Sequence, residues 1–177
     1  MIKKIVPVVL SLTVAITAIQ CQQADNTQSS NSDSLAETAV ENAVIVDTSL
    51  YATLDCRTMA PNLRDSLIIK FTVTNPTKDT LKFTTYHTPF EGFLSKFLIV
   101  KDSEGNEAQY LGPMAKRVMP PPAATYHAVA PGQSESVNFN LKKGYKIEKA
   151  GTYTIQYNSE LISGVANGKA ITIKIVQ

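Results

Sequence analysis

The sequence predicts an all-β domain over residues 44–177, an immunoglobulin-like two-sheet antiparallel β-sandwich of roughly seven or eight short strands. Three observations predict it. Apolar and polar side chains alternate with period two in one run after another. Clusters of Pro, Gly, Asn, Asp and Ser separate those runs. No apolar stripe at helical spacing lasts longer than about two turns. A closed barrel fits the same pattern as a second architecture.

The elements follow in order. Ser49 to Cys56 reads as a strand with Cys56 as a small buried residue. Leu67, Ile69, Phe71 and Val73 alternate with Ile68, Lys70, Thr72 and Thr74, and the run stops at Asn75-Pro76. Leu81 and Phe83 alternate with Lys82 and Thr84. Phe97 to Val100 is apolar on both faces, which predicts a central strand. Val137, Phe139 and Leu141, then Tyr153, Ile155 and Tyr157, then Ile171, Ile173 and Ile175 complete the series. Each set turns one apolar face inward, as a half-buried antiparallel sheet requires. Turn clusters lie at 75–79, 102–106 and 130–134. Pro131-Gly132 suits a type II turn, with Pro presetting φ and Gly accepting a positive one.

The first 43 residues have a different character. Lys3 and Lys4 precede an uncharged stretch, Ile5 to Ile19, too short for the roughly 20 residues that span a bilayer. This is the layout of a secretory signal peptide over residues 1–20. Cys21 follows directly, an arrangement that resembles a bacterial lipoprotein signal, in which the cut falls before the Cys and its thiol carries lipid. Ala18 and Gln20 depart from the usual Leu or Val and small residue at those positions. The expectation is an exported protein, lipid-anchored through Cys21 to a bacterial membrane, on the periplasmic face or the cell surface. Gln22 to Asn42 is polar and free of aromatics, so residues 21–43 read as a lipidated Cys and flexible tether, with a root-mean-square span of about 25 Å.

Composition narrows the function. The chain has 17 Lys+Arg against 15 Asp+Glu, which makes no electrostatic case for nucleic acid. With Cys21 lipidated, Cys56 has no partner for an internal disulfide. The two His, His87 and His127, do not form a His-Glu-x-x-His zinc motif, and Gly-rich phosphate loops are missing. A Cys56–His nucleophile pair would need an electropositive niche that no neighbouring residue supplies. These features predict a monomeric, non-enzymatic module with no cofactor and no metal.

One series is more specific. Thr88-Pro89-Phe90-Glu91-Gly92, Tyr110-Leu111-Gly112, Lys116-Arg117, Pro131-Gly132-Gln133-Ser134 and Gly151-Thr152-Tyr153 to Tyr157 follow one another in this order. The order resembles the N-terminal, non-catalytic domain of bacterial deuterolysin-type zinc metalloproteases, over about residues 65–158. The family's protease domain, with its His-Glu-x-x-His helix, should follow this module, whereas the sequence ends at Gln177. The resemblance implies a pro-domain-like fold without its enzyme, one that inhibits or assists the folding of a separate protease. A structural or adhesive surface lipoprotein is the alternative.

The candidate partner-binding residues are Thr88, Pro89, Phe90, Glu91, Gly92, Lys116 and Arg117. Phe90 and Glu91 have two roles open to them. The loop presents them to a partner's cleft, or Phe90 and Phe93 cap the core while Glu91 pairs with Lys116 or Arg117. Pro120, Pro121 and Pro122 favour an extended polyproline stretch beside the basic pair.

Overall fold

The alternating runs become strands in the computed structural model, which describes residues 49–177 apart from 59, 159 and 161. The signal peptide, Cys21, the tether and residues 44–48 lie outside the described residues. Eight strands form: β1 (Tyr51–Cys56), β2 (Ile68–Thr74), β3 (Leu81–Thr84), β4 (Leu98–Asp102), β5 (Tyr126–Val129), β6 (Ser134–Asn140), β7 (Gly151–Tyr157) and β8 (Ile171–Ile175). All pair antiparallel, in the orders β1-β2-β6, β4-β7-β8 and a short ribbon β3-β5.

The two three-stranded sheets share one core. Leu67, just before β2, and Ile69, Phe71 and Val73 along it are buried at alternate positions, as are Tyr153, Ile155 and Tyr157 along β7. The Phe71 and Tyr157 rings meet across the sandwich with centroids 4.9 Å apart. Burying such aromatics supplies much of the apolar area that stabilises a small domain. Tyr153 Oη donates to the Lys149 carbonyl at 3.0 Å, the tyrosine corner found in Greek-key sandwiches. Between β5 and β6, Gln133 N–H donates to Ala130 O at 3.0 Å with Gly132 at φ 66°, the turn that Pro131-Gly132 predicts.

Two expectations need correction. Phe97 to Val100 predicted a central strand, yet β4 is the end strand of its sheet and β7 is central. Both its faces are apolar because irregular segments do the covering. Tyr145 Oη donates to Leu98 O and accepts from Leu98 N–H, each at 2.9 Å, in the manner of a neighbouring strand. Ala108 N–H donates to Val100 O at 2.8 Å. Cys56 ends β1 half-buried rather than buried, with its thiol donating to Thr58 O at 3.3 Å.

Parts of three other strand edges are covered in the same way. Ala52 on β1 donates to Ala166 O, Thr84 on β3 donates to Ser163 O, and Val176 beyond β8 donates to Pro61 O. Edges occupied like this resist pairing with another chain's strand.

Candidate functional site

The loop after β3 is built from local backbone chemistry. Thr88, fully buried, donates from its hydroxyl to Thr85 O at 2.7 Å and accepts from Phe90 N–H at 3.3 Å. It thereby caps a 3-10 turn, Pro89–Glu91, whose first residue is a proline suited to that position. Gly92 ends the turn at φ 73° and returns its N–H to Pro89 O at 3.1 Å.

The turn directs its aromatics inward. Phe90 packs against Phe83 at 5.3 Å, Phe71 at 6.1 Å and the His127 imidazole at 5.3 Å. Phe93 stacks on Phe97 at 5.5 Å and meets Phe139 and Tyr145 edge-on. A Cβ on Gly144 would lie 2.1 Å from the Phe93 ring, so only glycine admits the ring there. Phe90 is therefore a half-buried cap of the core and does not project as a free anchor.

Glu91 also turns inward. Its side chain is 6 % exposed, and Oε1 accepts from His87 N–H at 3.0 Å, from Ser95 Oγ at 3.1 Å and from the Arg117 guanidinium. Arg117, 16 % exposed, lies over the Tyr86 ring with 4.6 Å to its centroid. Such a desolvated pair is costly to break, because removing either partner leaves the other charge buried and unpaired. Glu91 Oε2 and Arg117 Nε stay buried without partners, so the pair joins through one arm of each group. Of the two basic residues, Arg117 is the one spent on Glu91. Lys116 is exposed and forms no ion pair among the described residues.

The clamp ties a strap, residues 111–119, onto the loop. Leu111 N–H donates to Gly144 O and Ala115 N–H to Leu94 O, at 2.8 and 2.9 Å. Tyr110 Oη, half-buried, donates to Phe93 O at 2.8 Å, and burial raises its pKa. Between these anchors the strap faces solvent with its apolar side chains: Leu111, Met114, Val118 and Met119 are 51 to 69 % exposed. Leu94, bonded to the strap through its carbonyl, is exposed as well. The sequence reading missed this apolar group. A signal for it exists: no acidic residue occurs between Glu107 and Glu135, and Leu111, Met114, Ala115, Val118 and Met119 recur at helical spacing in a stretch bounded by Pro113 and Pro120 that forms no helix.

His87 and His127 are separated by role. His87 sits at φ 56° beside the clamp, where Tyr157 Oη donates to its carbonyl at 3.0 Å. His127 Nδ1 lies 2.8 Å from Glu135 Oε2, bridging β5 and β6. No group of three or more metal-ligating side chains occurs among the described residues. An open cleft of about 570 Å³ lined by Tyr51, Thr53, Leu54, Asn167, Gly168 and Lys169 contains none of the sequence-predicted site residues.

Neither a protein-family model nor a curated protein matches the chain. Among solved structures, it is similar to the X-ray structure of Northeast Structural Genomics Consortium target SoR45, at 12 % identity and a TM-score of 0.38, over 73 % of this chain and 88 % of that one. It is also similar to a β-glucosidase from Listeria innocua in complex with glucose, at 12 % identity and a TM-score of 0.35, over 72 % of this chain. The matched region amounts to 16 % of the β-glucosidase.

Proposed function

We propose that this protein is a non-enzymatic binding module, held at a bacterial membrane by lipid on Cys21, that engages an exported protease as inhibitor or folding assistant. The observation that carries this reading is the buried Glu91–Arg117 pair. It draws the Thr88–Gly92 loop and the Lys116-Arg117 segment, the two parts most specific to the metalloprotease pro-domain resemblance, into one braced surface. A braced surface has little conformational freedom left to lose on binding, so more of its contact energy appears as affinity.

The experiment titrates the mature chain against a purified deuterolysin-type metalloprotease, reading peptide hydrolysis and the yield of refolded enzyme. Saturable inhibition or a raised refolding yield is expected. A protease indifferent on both counts would favour a structural or adhesive surface lipoprotein. Membrane fractionation is the second arm: Cys21→Ser leaves an uncut, unlipidated precursor, and processing like wild type would remove the anchor from the proposal.

A further inference from the structure

Among the described residues, most of the exposed large apolar side chains sit on the strap. Leu111, Met114, Val118 and Met119 are exposed along it, and Leu94 extends the patch from the neighbouring loop. Scattered exposed apolar residues are ordinary, but a contiguous group marks an interaction site. The backbone beneath it is held by the Leu111–Gly144 and Ala115–Leu94 hydrogen bonds and by Arg117 on Glu91. Pro113, Pro120, Pro121 and Pro122 carry no N–H, which lowers the cost of covering this stretch by another apolar surface.

Charge decides the occupant. Arg117 is neutralised by Glu91, so Lys116 is the strap's one uncompensated cation. A bilayer surface is held by clusters of about four to eight basic residues beside the inserted side chains. A single lysine among methionines and a valine suits a protein cleft with an apolar floor and a carboxylate at its rim. Methionine side chains adapt to such a floor at little cost.

We infer that the strap, with Leu94, is the contact surface for the protease, and that the Thr88–Gly92 loop supports it without touching the partner. This rests on the protease reading above. The partner chemistry it names is an apolar, acid-rimmed protein groove.

The test uses residues 21–177 with Cys21→Ser, since the core residues among those described lie between Leu50 and Ile175. Binding to the same purified metalloprotease is measured for wild type, for Met114→Ser/Val118→Ser/Met119→Ser and for Lys116→Glu. The triple variant is expected to bind roughly thirtyfold or more weakly, as loss of buried anchors does. Lys116→Glu is expected to slow association and steepen the loss at low salt. Both variants should keep the wild-type thermal midpoint. Wild-type binding that survives in the triple variant overturns the strap and leaves the protease reading standing. No binding by wild type overturns both. Cosedimentation with phosphatidylglycerol/phosphatidylcholine vesicles that the triple variant loses would assign the strap to a lipid surface and overturn the protein groove.

Discussion

The Thr88–Phe93 loop and the 111–119 strap are both irregular, both rich in turn residues and both furnished with large apolar side chains, yet they use them in opposite ways. The loop turns Phe90 and Phe93 onto the core, against Phe71, Phe83, Phe97 and Phe139. The strap turns Met114, Val118 and Met119 outward. Polar groups follow the same division, with Glu91 buried in the loop and Lys116 exposed on the strap. Apolar content alone does not assign a loop to core or to interface. What assigns it is whether the backbone leads each side chain over an opening in the core, and here a Thr-capped 3-10 turn does so while a proline-bounded strap without regular structure does not.

The largest effect expected from breaking this division is at the clamp. Glu91→Ala leaves Arg117 buried and unpaired and strips the acceptor from His87 N–H and Ser95 Oγ. Loss of one member of a buried pair costs about 3–5 kcal/mol. Chemical denaturation should show a loss of that size, with Glu91→Gln recovering part of it because an amide oxygen still accepts. A loss under about 1 kcal/mol would mean that the pair behaves as a surface ion pair.

A somewhat smaller loss is expected at the aromatic caps. Phe93→Ala empties the space between Phe97, Phe139 and Tyr145 that Gly144 keeps open. Large-to-small changes of buried phenylalanine cost about 3–5 kcal/mol, and partial exposure of Phe93 places it at the lower end. Met114→Ser, the equivalent change on the strap, should fall within about 0.5 kcal/mol of wild type. Equal losses at Phe93 and Met114 in thermal unfolding would abolish the contrast between loop and strap.

The smallest effect is a pH dependence at the base of the loop. Tyr157 Oη donates to His87 O and shares a hydrogen bond with Ser163, and burial pushes its pKa up to about 12. The folded state therefore holds this proton more tightly than the unfolded chain, whose tyrosine titrates near about 10. Stability from this group is complete below about pH 10 and declines as pH rises towards about 12. Tyr157→Phe should lower stability at neutral pH by about 1 kcal/mol and make the alkaline decline shallower. An unchanged alkaline slope in urea titrations would remove Tyr157 as its source; the buried Tyr145, whose pKa is also raised, would then account for it.

Most of the strand pattern was legible before any coordinates. Alternation at Leu67–Thr74 and Tyr153–Tyr157 is a local property, because successive side chains of an extended backbone point to opposite faces. The Ala130–Gln133 turn was legible for a similar reason, since proline and glycine carry their φ preferences wherever they stand. A pairing of Glu91 with Lys116 or Arg117 was one of the readings open. Which cation it would be was not legible, because adjacent residues point in different directions and only the strap's path selects between them.

By itself, the sequence determined the all-β class, the positions of seven of the eight strands (β5 was not anticipated), the Ala130–Gln133 turn and the polar, aromatic-free character of residues 22–42. These depend on intrinsic backbone preference and on how many apolar side chains a segment can bury. Tertiary structure alone decided that β4 is an end strand covered by Tyr145, that Arg117 rather than Lys116 meets Glu91, and that the strap's methionines face water. Each of those outcomes depends on segments far apart in the chain meeting at one place. Glu91 and Arg117, for example, are separated by 26 positions, and Leu98 and Tyr145 by 47. No local preference specifies such meetings; they follow from how the two sheets close over one core.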